Sequence, residues 1–435
     1  MTNLIKVSAL EHILDVNPDN LNSWLRSFDR FIRLDSNQYA YDKYASAEGI
    51  VACGIERAIT IEDFSDKSSV SSLKNFFDEN KGQWIFGHMS FEAKDLFDIT
   101  KTNASSFIDV PCVSFFVPTH VFKLLNDKLI ILKSNLPVIE LQNQLDQSLT
   151  AAQPIIKTKG ILNFGVDRSQ YIEHVNELLQ HIHRGDIYEV NYCQALQYKG
   201  MVMDPYALYT KMQSTSQAPF GAFYRNGDVY LCSASPERFM AKRGDQLICQ
   251  PIKGTNRRLD NPEENILQQA KLKSSLKERA ENVMIVDLMR NDMSRICLPG
   301  SVHVEELYGI YAFRHVNQMI STISGTVDQD INFVDVISAL FPMGSMTGAP
   351  KLSALALIDE LEPYQRGLFS GTVGYIDPNG NWDFNVVIRS IVYDDAHQLA
   401  SISAGGAITA LSNAEEEYEE SLLKMESLVG IINGE

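Results

Sequence analysis

The 435-residue sequence is short of basic residues: 38 Lys and Arg stand against 55 Asp and Glu, a formal net charge of −17. A field of that sign repels nucleic-acid backbones and anionic lipid, which argues against nucleic acid and membrane as partners. An anionic substrate would have to be held by local cations, backbone amides or a metal. Long apolar runs are missing too: no stretch approaches the ~20 apolar residues that a membrane-spanning helix needs. The opening Met1-Thr2-Asn3-Leu4-Ile5-Lys6 lacks the basic-then-apolar layout of a secretion signal. Cysteine is scarce, and Cys53, Cys112, Cys193, Cys232, Cys249 and Cys297 form no Cys-x-x-Cys. In a chain of this size that reads as a reduced, cytoplasmic protein, not a disulfide frame or a zinc site. There is no fixed-period repeat, no G-x-G-x-x-G after a strand and no His-Glu-x-x-His. The segment from Gly344 to Lys351 looks like a phosphate loop, but its glycine spacing is one short and Pro350 precedes the lysine. A nucleotide role fails there.

What is present is a core-building composition, 45% apolar and 21% charged, as in globular domains. The runs 82–91, 111–118 and 128–133 read as strands bounded by Gly or Pro. Between Leu136 and Phe164 the chain turns polar, which places a boundary between an amino-terminal region, 1–150, and a second domain, 165–432. In the second, helical spacing from Asp167 to His183 stops at Gly185. A long helical pattern opens at Pro262 and runs to about Arg290. Further helices are expected over 333–340 and 349–361, and strands over 371–376, 385–393 and 400–408. Asn413 is placed to cap a last helix, with Glu415, Glu416 and Glu417 in its first turn. Strand clusters interrupted by unevenly spaced helices predict an α+β fold with mostly antiparallel sheets.

Two helices carry Glu-x-x-Glu pairs, Glu278 with Glu281 and Glu417 with Glu420. Residues three apart share one helix face. If the helices face each other, four oxygen donors surround one hard cation, Mg²⁺ before others; the ordinary alternative is a pair of solvated acidic faces. Lys253 sits where a strand breaks at a Gly turn. In a partly desolvated pocket it could lose its proton and act as a nucleophile; otherwise it is a loop lysine beside two arginines. Glu237, after a strand ending at Cys232, is a candidate general acid if buried, or an ion-pair partner of Arg238. Glycine clusters read as strand ends, Gly405-Gly406 and the glycines of 371–374, let backbone amides approach a ligand. Arg389, on the 385–389 strand, could hold a carboxylate in bidentate fashion.

The run Phe341-Pro342-Met343-Gly344-Ser345-Met346-Thr347-Gly348-Ala349-Pro350-Lys351 resembles a signature of the chorismate-utilising enzymes. Ser235-Pro236-Glu237-Arg238-Phe239, the run from Val286 to Asp292, the run from Ile358 to Pro363 and the two Glu-x-x-Glu helices fit the same family in the same order, over about Val166 to Ile432. The resemblance implies large antiparallel sheets packed as a sandwich and flanked by helices. It implies Mg²⁺ held by Glu281 and Glu420, with Glu278 and Glu417 directly or through water. Arg389, Tyr375, Gly405 and Gly406 would hold the enolpyruvyl carboxylate of chorismate, with Thr347, Gly348 and Lys424 also at the substrate. Lys253 would add, uncharged, at C2 while Glu237 helps the C4 hydroxyl leave.

Pro-Ile-Lys-Gly-Thr around Lys253 is similar to the branch that aminates chorismate for 4-aminobenzoate and folate synthesis, aminodeoxychorismate synthase component I. The anthranilate synthase branch usually has Ala there and remains the alternative. A non-catalytic chorismate- or tryptophan-binding regulatory protein is the second. Two positions depart from the family pattern: Glu189 stands where Gln is usual, and Gln318 where His is usual. Glutamine cannot shuttle a proton, which leans away from a pyruvate-eliminating reaction. An added charge at Glu189 is unfavourable beside a dianion unless it is paired or protonated. No cysteine lies in a Gly-x-Cys-x-Gly elbow, so ammonia is expected from a separate glutamine amidotransferase subunit.

Overall fold

The strands Gly49–Cys53, Ile85–Met89 and Val113–Val117 are buried at every position. Side chains alternate between the two faces of a strand, so such strands need cover on both. The computed structural model, which describes residues 13–434 except 38, 40–41, 46–48, 64–65, 67, 98, 103, 126–127 and 149–155, supplies it. The Met1 to Lys6 segment and part of the expected boundary lie outside the described residues.

Two large sheets stack face to face. The first is 12-stranded and runs from the edge strand Ile13–Asp15 through Arg30–Asp35, Phe220–Asn226, Val229–Ser235, Ser390–Asp394, Leu399–Thr409 and Glu189–Lys199 to Ile161–Phe164. The second is 10-stranded and contains Ile252–Arg257, Val316–Thr326, Gln246–Gln250, Arg238–Arg243, Trp382–Asn385, Thr372–Ile376, Ile85–Met89, Val113–Val117 and Arg57–Ile61. Ile32, Ile50, Ala52 and Tyr224 of the first sheet meet Phe86, Phe116, Val373 and Tyr375 of the second in one inter-sheet core. Their strand neighbours Phe31, Val51 and Phe223 point the other way, onto the helices Pro18–Leu25, Val138–Gln147, Pro205–Ser216 and Ala414–Asn433. The outer face of the second sheet is covered by Ser68–Glu79, Leu276–Ser294 and Phe333–Leu340. The α+β class and the antiparallel sandwich expected from the sequence are therefore what the chain forms. Both sheets take strands from either side of residue 150, so the 1–150 and 165–432 division is not a division of the sheets or of the core.

Three local departures from expectation matter for the site. The helical pattern beginning at Pro262 is two helices, Pro262–Ser274 and Leu276–Ser294. Ser275 leaves the helical region (φ −63, ψ 117), and its side chain accepts from the Glu278 N–H, capping the second helix. This break sets Glu278 in a first turn, where the helix dipole favours an anion. Residues 385–393 are not one strand. Trp382–Asn385 lies in the second sheet and Ser390–Asp394 in the first, so Val386 to Arg389 cross between sheets. Gly405 and Gly406 lie inside the strand Leu399–Thr409, not at its end. That strand pairs along its whole length with Glu189–Lys199.

Candidate active site

Residues of both sheets and of the helices Leu276–Ser294 and Ala414–Asn433 wall a cleft of ≈ 560 Å³. Lys253, Glu237, Glu278, Glu281, Glu417, Glu420, Arg389, Gly405, Gly406 and Lys424 all line it. These residues are scattered from 237 to 424, and strands of both sheets together with two helices bring them to one cleft.

Lys253 reaches the cleft through a bulge. Strand Ile252–Arg257 slips register against Val316–Thr326 between Ile252 and Thr255, and Gly254 takes φ 98 there. A bulge re-aims a side chain. The Lys253 Nζ donates to Glu189 Oε1 at 2.9 Å, and its side chain is 11% exposed. Burial alone would lower its pKa, but the charge of Glu189 and the hydrogen bond to it outweigh that and hold the ammonium above its ordinary value. The resting lysine is therefore protonated, which corrects the expectation of an uncharged amine. The same pairing answers the unfavourable charge expected at Glu189.

Glu237 sits between Val229–Ser235 and Arg238–Arg243 and is 4% exposed. Burial pushes its carboxyl up to about 7, against the pull of Ser345 and of the Lys253 charge. Arg238, its expected ion-pair alternative, faces away and is bound by Asp42 at 2.7 Å and Asp383 at 2.9 Å.

The glutamates come from two capped helices. Asn413 accepts from Glu415 N–H at 3.0 Å and from Glu416 N–H at 3.2 Å, so Glu417 shares a first turn as Glu278 does. Glycine makes room for both: a Cβ on Gly254 would stand 2.9 Å from Glu278 Oε2, and one on Gly406 3.0 Å from Glu417 Oε2. Burial raises the pKa values of Glu278, Glu281 and Glu417, Glu281 to about 7, and neighbouring carboxylates add to the rise. For Glu420 burial also raises, but the charge of Lys424, 2.7 Å away, and its hydrogen bond more than offset it, and the carboxyl lies below its ordinary value. Among the described residues no three acidic, His or Cys side chains converge on one point at ligating range. Four carboxylates that face one cleft, three of them raised by burial and by neighbouring carboxylates, are nevertheless an all-oxygen donor set suited to a hard divalent cation.

Arg389, expected on a strand, lies in the inter-sheet crossing with φ 52. Its guanidinium donates to the Lys424 carbonyl at 2.6 Å, and Lys424 Nζ donates to the Gly405 carbonyl at 2.9 Å. Three expected substrate residues are not in the cleft wall. Tyr375 points into the inter-sheet core against Trp84 and Phe86 and borders a different cleft, with Arg238 and Asp383. Thr347 is fully buried, its hydroxyl donating to the Gly344 carbonyl at 3.2 Å. Gly348 pairs with Val190, so close that a Cβ would stand 2.2 Å from the Glu189 carbonyl. Thr347 and Gly348 thus lie behind the wall that Ser345 and Met346 present.

Sequence reasoning missed the frame behind that wall. The buried Arg366 is gripped by Glu362 at 2.6 and 2.8 Å and donates to the carbonyls of Met346 and Asn191, each at 2.9 Å; both of these residues line the cleft. Lys351, the misleading phosphate-loop lysine, ties the same motif to the acidic helix: it bonds Asp292 at 2.5 Å and the Pro342 carbonyl at 2.8 Å. Gln318 lines the cleft as well, while His315 is exposed and bonded to the Thr215 carbonyl.

The chorismate binding enzyme family matches residues 33–430. The chain belongs to that family. Aminodeoxychorismate synthase of Arabidopsis thaliana, a chloroplastic protein, is 45% identical over 262 residues, 59% of this chain and 28% of its own length. Aminodeoxychorismate synthase component 1 of Klebsiella aerogenes is 40% identical over 266 residues, 61% of this chain and 58% of its own. Anthranilate synthase component 1 of Haloferax volcanii is 39% identical over 260 residues, 59% and 49%. The chain thus spans between 28% and 58% of the length of these relatives. Two solved structures share the fold. Anthranilate synthase component I from Streptococcus pneumoniae superposes with a TM-score of 0.75 at 24% identity, covering 87% of this chain and 91% of that one. MenF, the menaquinone-specific isochorismate synthase of Escherichia coli, gives 0.73 at 16%, covering 94% and 90%. Among the described residues no helix is long and apolar enough to cross a membrane.

Proposed function

We propose that this chorismate binding enzyme is an aminodeoxychorismate synthase component I, which converts chorismate and ammonia to 4-amino-4-deoxychorismate. The observation that carries the reading is the placement of Lys253 Nζ in one cleft with the buried carboxyl of Glu237 and the four helix glutamates. The identity to the aminodeoxychorismate synthases of Arabidopsis and Klebsiella supports it.

Chorismate is a dianion, and a chain of charge −17 must supply cations locally. Arg389 and Lys424 supply two. Magnesium, held by Glu281 and Glu420 with Glu278 and Glu417 beside them, would supply the charge that the ring carboxylate needs. Lys253 adds at C2, the ring double bonds shift, and the C4–O bond breaks as Glu237 passes its proton to the departing oxygen, which leaves as water. Ammonia then forms the C4–N bond and the double bonds shift back as the C2–N bond to Lys253 breaks. Splitting the displacement helps because hydroxide is a poor leaving group. Glu237, with its carboxyl near 7, is protonated in a useful fraction at neutral pH, as a general acid must be.

Ammonia would come from a glutamine amidotransferase subunit, since all six cysteines are buried and none is placed as an exposed nucleophile. Their being free thiols suits a reducing cytoplasm. The test is the product made from chorismate, Mg²⁺ and ammonium salt. Aminodeoxychorismate, seen by chromatography or by aminobenzoate formation with an added lyase, is expected. Fluorescent anthranilate would overturn the reading.

A further inference from the structure

Glu189 is 1% exposed, and only one of its oxygens is engaged. Oε1 accepts from Lys253 Nζ at 2.9 Å, while Oε2 is buried with no hydrogen-bond partner among the described residues. A buried carboxylate oxygen left unpaired is costly unless it has a use. We infer that Glu189 is the positioning residue that takes the proton of Lys253 when the amine attacks and returns it when the amine is released. The inference rests on the proposed covalent role of Lys253.

The problem it solves is on the page. A nucleophilic lysine must be neutral, yet the pairing with Glu189 holds the resting Lys253 as ammonium. Loss of that proton to bulk water would be slow from a side chain that is only 11% exposed. Transfer along an existing 2.9 Å hydrogen bond needs no solvent. Substrate entry favours it, because excluding water from a buried ion pair shifts the balance toward the neutral pair of amine and carboxylic acid. The strand holds the carboxylate in place: Glu189 pairs on one side with Ala349 and on the other with Thr409. The charged groups facing the pair are Glu237, Lys277, Glu278 and Glu281, Arg389, and Glu417, Glu420 and Lys424 across the cleft. None of them is bonded to the Lys253 ammonium; among the described residues Glu189 is its hydrogen-bond partner.

The protons balance. Lys253 gives one to Glu189 and attacks as the neutral amine, becoming a secondary ammonium on C2. Glu237 gives one to the C4 oxygen, which leaves as water. Ammonia bonds to C4, the neutral lysine leaves C2, and Glu237 recovers a proton from the new ammonium. Glu189 then returns its proton to Lys253.

The test compares Glu189→Gln and Glu189→Asp with the unaltered chain, as the Mg²⁺-loaded protein with ammonium salt, across about pH 6.5 to 9. Rates are taken as a ratio to the unaltered chain at each pH, so that the Glu237 limb cancels. Without the acceptor, Lys253 must give its proton to solvent. The Glu189→Gln rate is therefore expected to start about tenfold or more low at neutral pH and to recover as pH rises, with KM for chorismate within about twofold. Glu189→Asp should keep a pH-independent ratio. A Glu189→Gln ratio that does not change with pH, or a loss that appears in KM, overturns the inference. Lys253→Ala is the control that separates the two claims: if it turns over normally, the covalent reading itself falls; if it is dead while Glu189→Gln shows no pH-dependent loss, only the role of Glu189 falls.

Discussion

In the proposed reaction Lys253 and Glu237 divide the chemistry because their surroundings differ. One is an ammonium anchored by a buried carboxylate; the other is a carboxyl that burial keeps partly neutral. Lys253→Ala is expected to abolish aminodeoxychorismate formation from ammonium without unfolding the chain, checked by product chromatography and circular dichroism. Glu237→Gln keeps the shape but cannot give a proton, and kcat should fall by about 10²–10⁴-fold. The sign of the pH dependence follows from the raised carboxyl: it is protonated below about 7 and loses its proton above, so kcat should decline as pH passes upward through that value. That limb should be absent from the residual activity of Glu237→Gln. Both were singled out in the sequence, Lys253 from its motif and Glu237 from the strand before it, and the fold brings both to one cleft. Tyr375 was not placed correctly, because alternation along a strand gives two faces but not which of two sheets lies opposite. In a sandwich buried on both sides, the inward face of Thr372–Ile376 meets the other sheet and not the cleft. The charge state of Lys253 was out of reach for a similar reason: its partner lies 64 positions away in sequence.

At the scale of elements, caps and glycines decide where the glutamates stand. The Asn413 cap is readable as a side-chain acceptor ahead of an acidic turn. The break at Ser275 is not, since the apolar and charged spacing continues through it and only the hydroxyl-to-Glu278 cap reveals two helices. The pairing of Glu189–Lys199 with Leu399–Thr409 leaves no room for a side chain at Gly405. A Cβ there would lie 2.4 Å from Cys193 Sγ and 2.5 Å from the Tyr192 carbonyl. A backbone oxygen cannot move aside without parting the strands, so Gly405→Ala is expected to destabilise the fold by about 1–3 kcal/mol. Urea unfolding followed by tryptophan fluorescence measures this, and an unchanged midpoint would contradict it. At Gly406 the nearest atoms belong to the flexible ends of Glu417 and Lys424. Gly406→Ala should therefore fold normally and raise the Mg²⁺ concentration needed for half-maximal activity.

On the scale of the whole molecule, the cleft is held by a frame that stands behind its wall. Arg366 joins Glu362 to the carbonyls of Met346 and Asn191 on the cleft wall, and Glu92 accepts from the Arg366 backbone N–H at 2.8 Å. Arg366→Met leaves Glu362 charged and buried without its cation, a change that costs about 3–5 kcal/mol. Thermal unfolding should show the loss, together with a fall in activity. The antiparallel α+β class was legible from strand clusters and uneven helix spacing, and the sandwich from the family resemblance. The sharing of both sheets by the two halves of the chain was not, because long-range pairing leaves no local signal. The account as a whole depends on a bond between Lys253 and the substrate ring. Mg²⁺-loaded protein given chorismate without any ammonia, then denatured and digested for mass spectrometry, tests this most directly. A peptide carrying Lys253 heavier by chorismate less one water is the expected result. Ammonium-dependent turnover by a chain that never carries that adduct, and that survives Lys253→Ala, would contradict it.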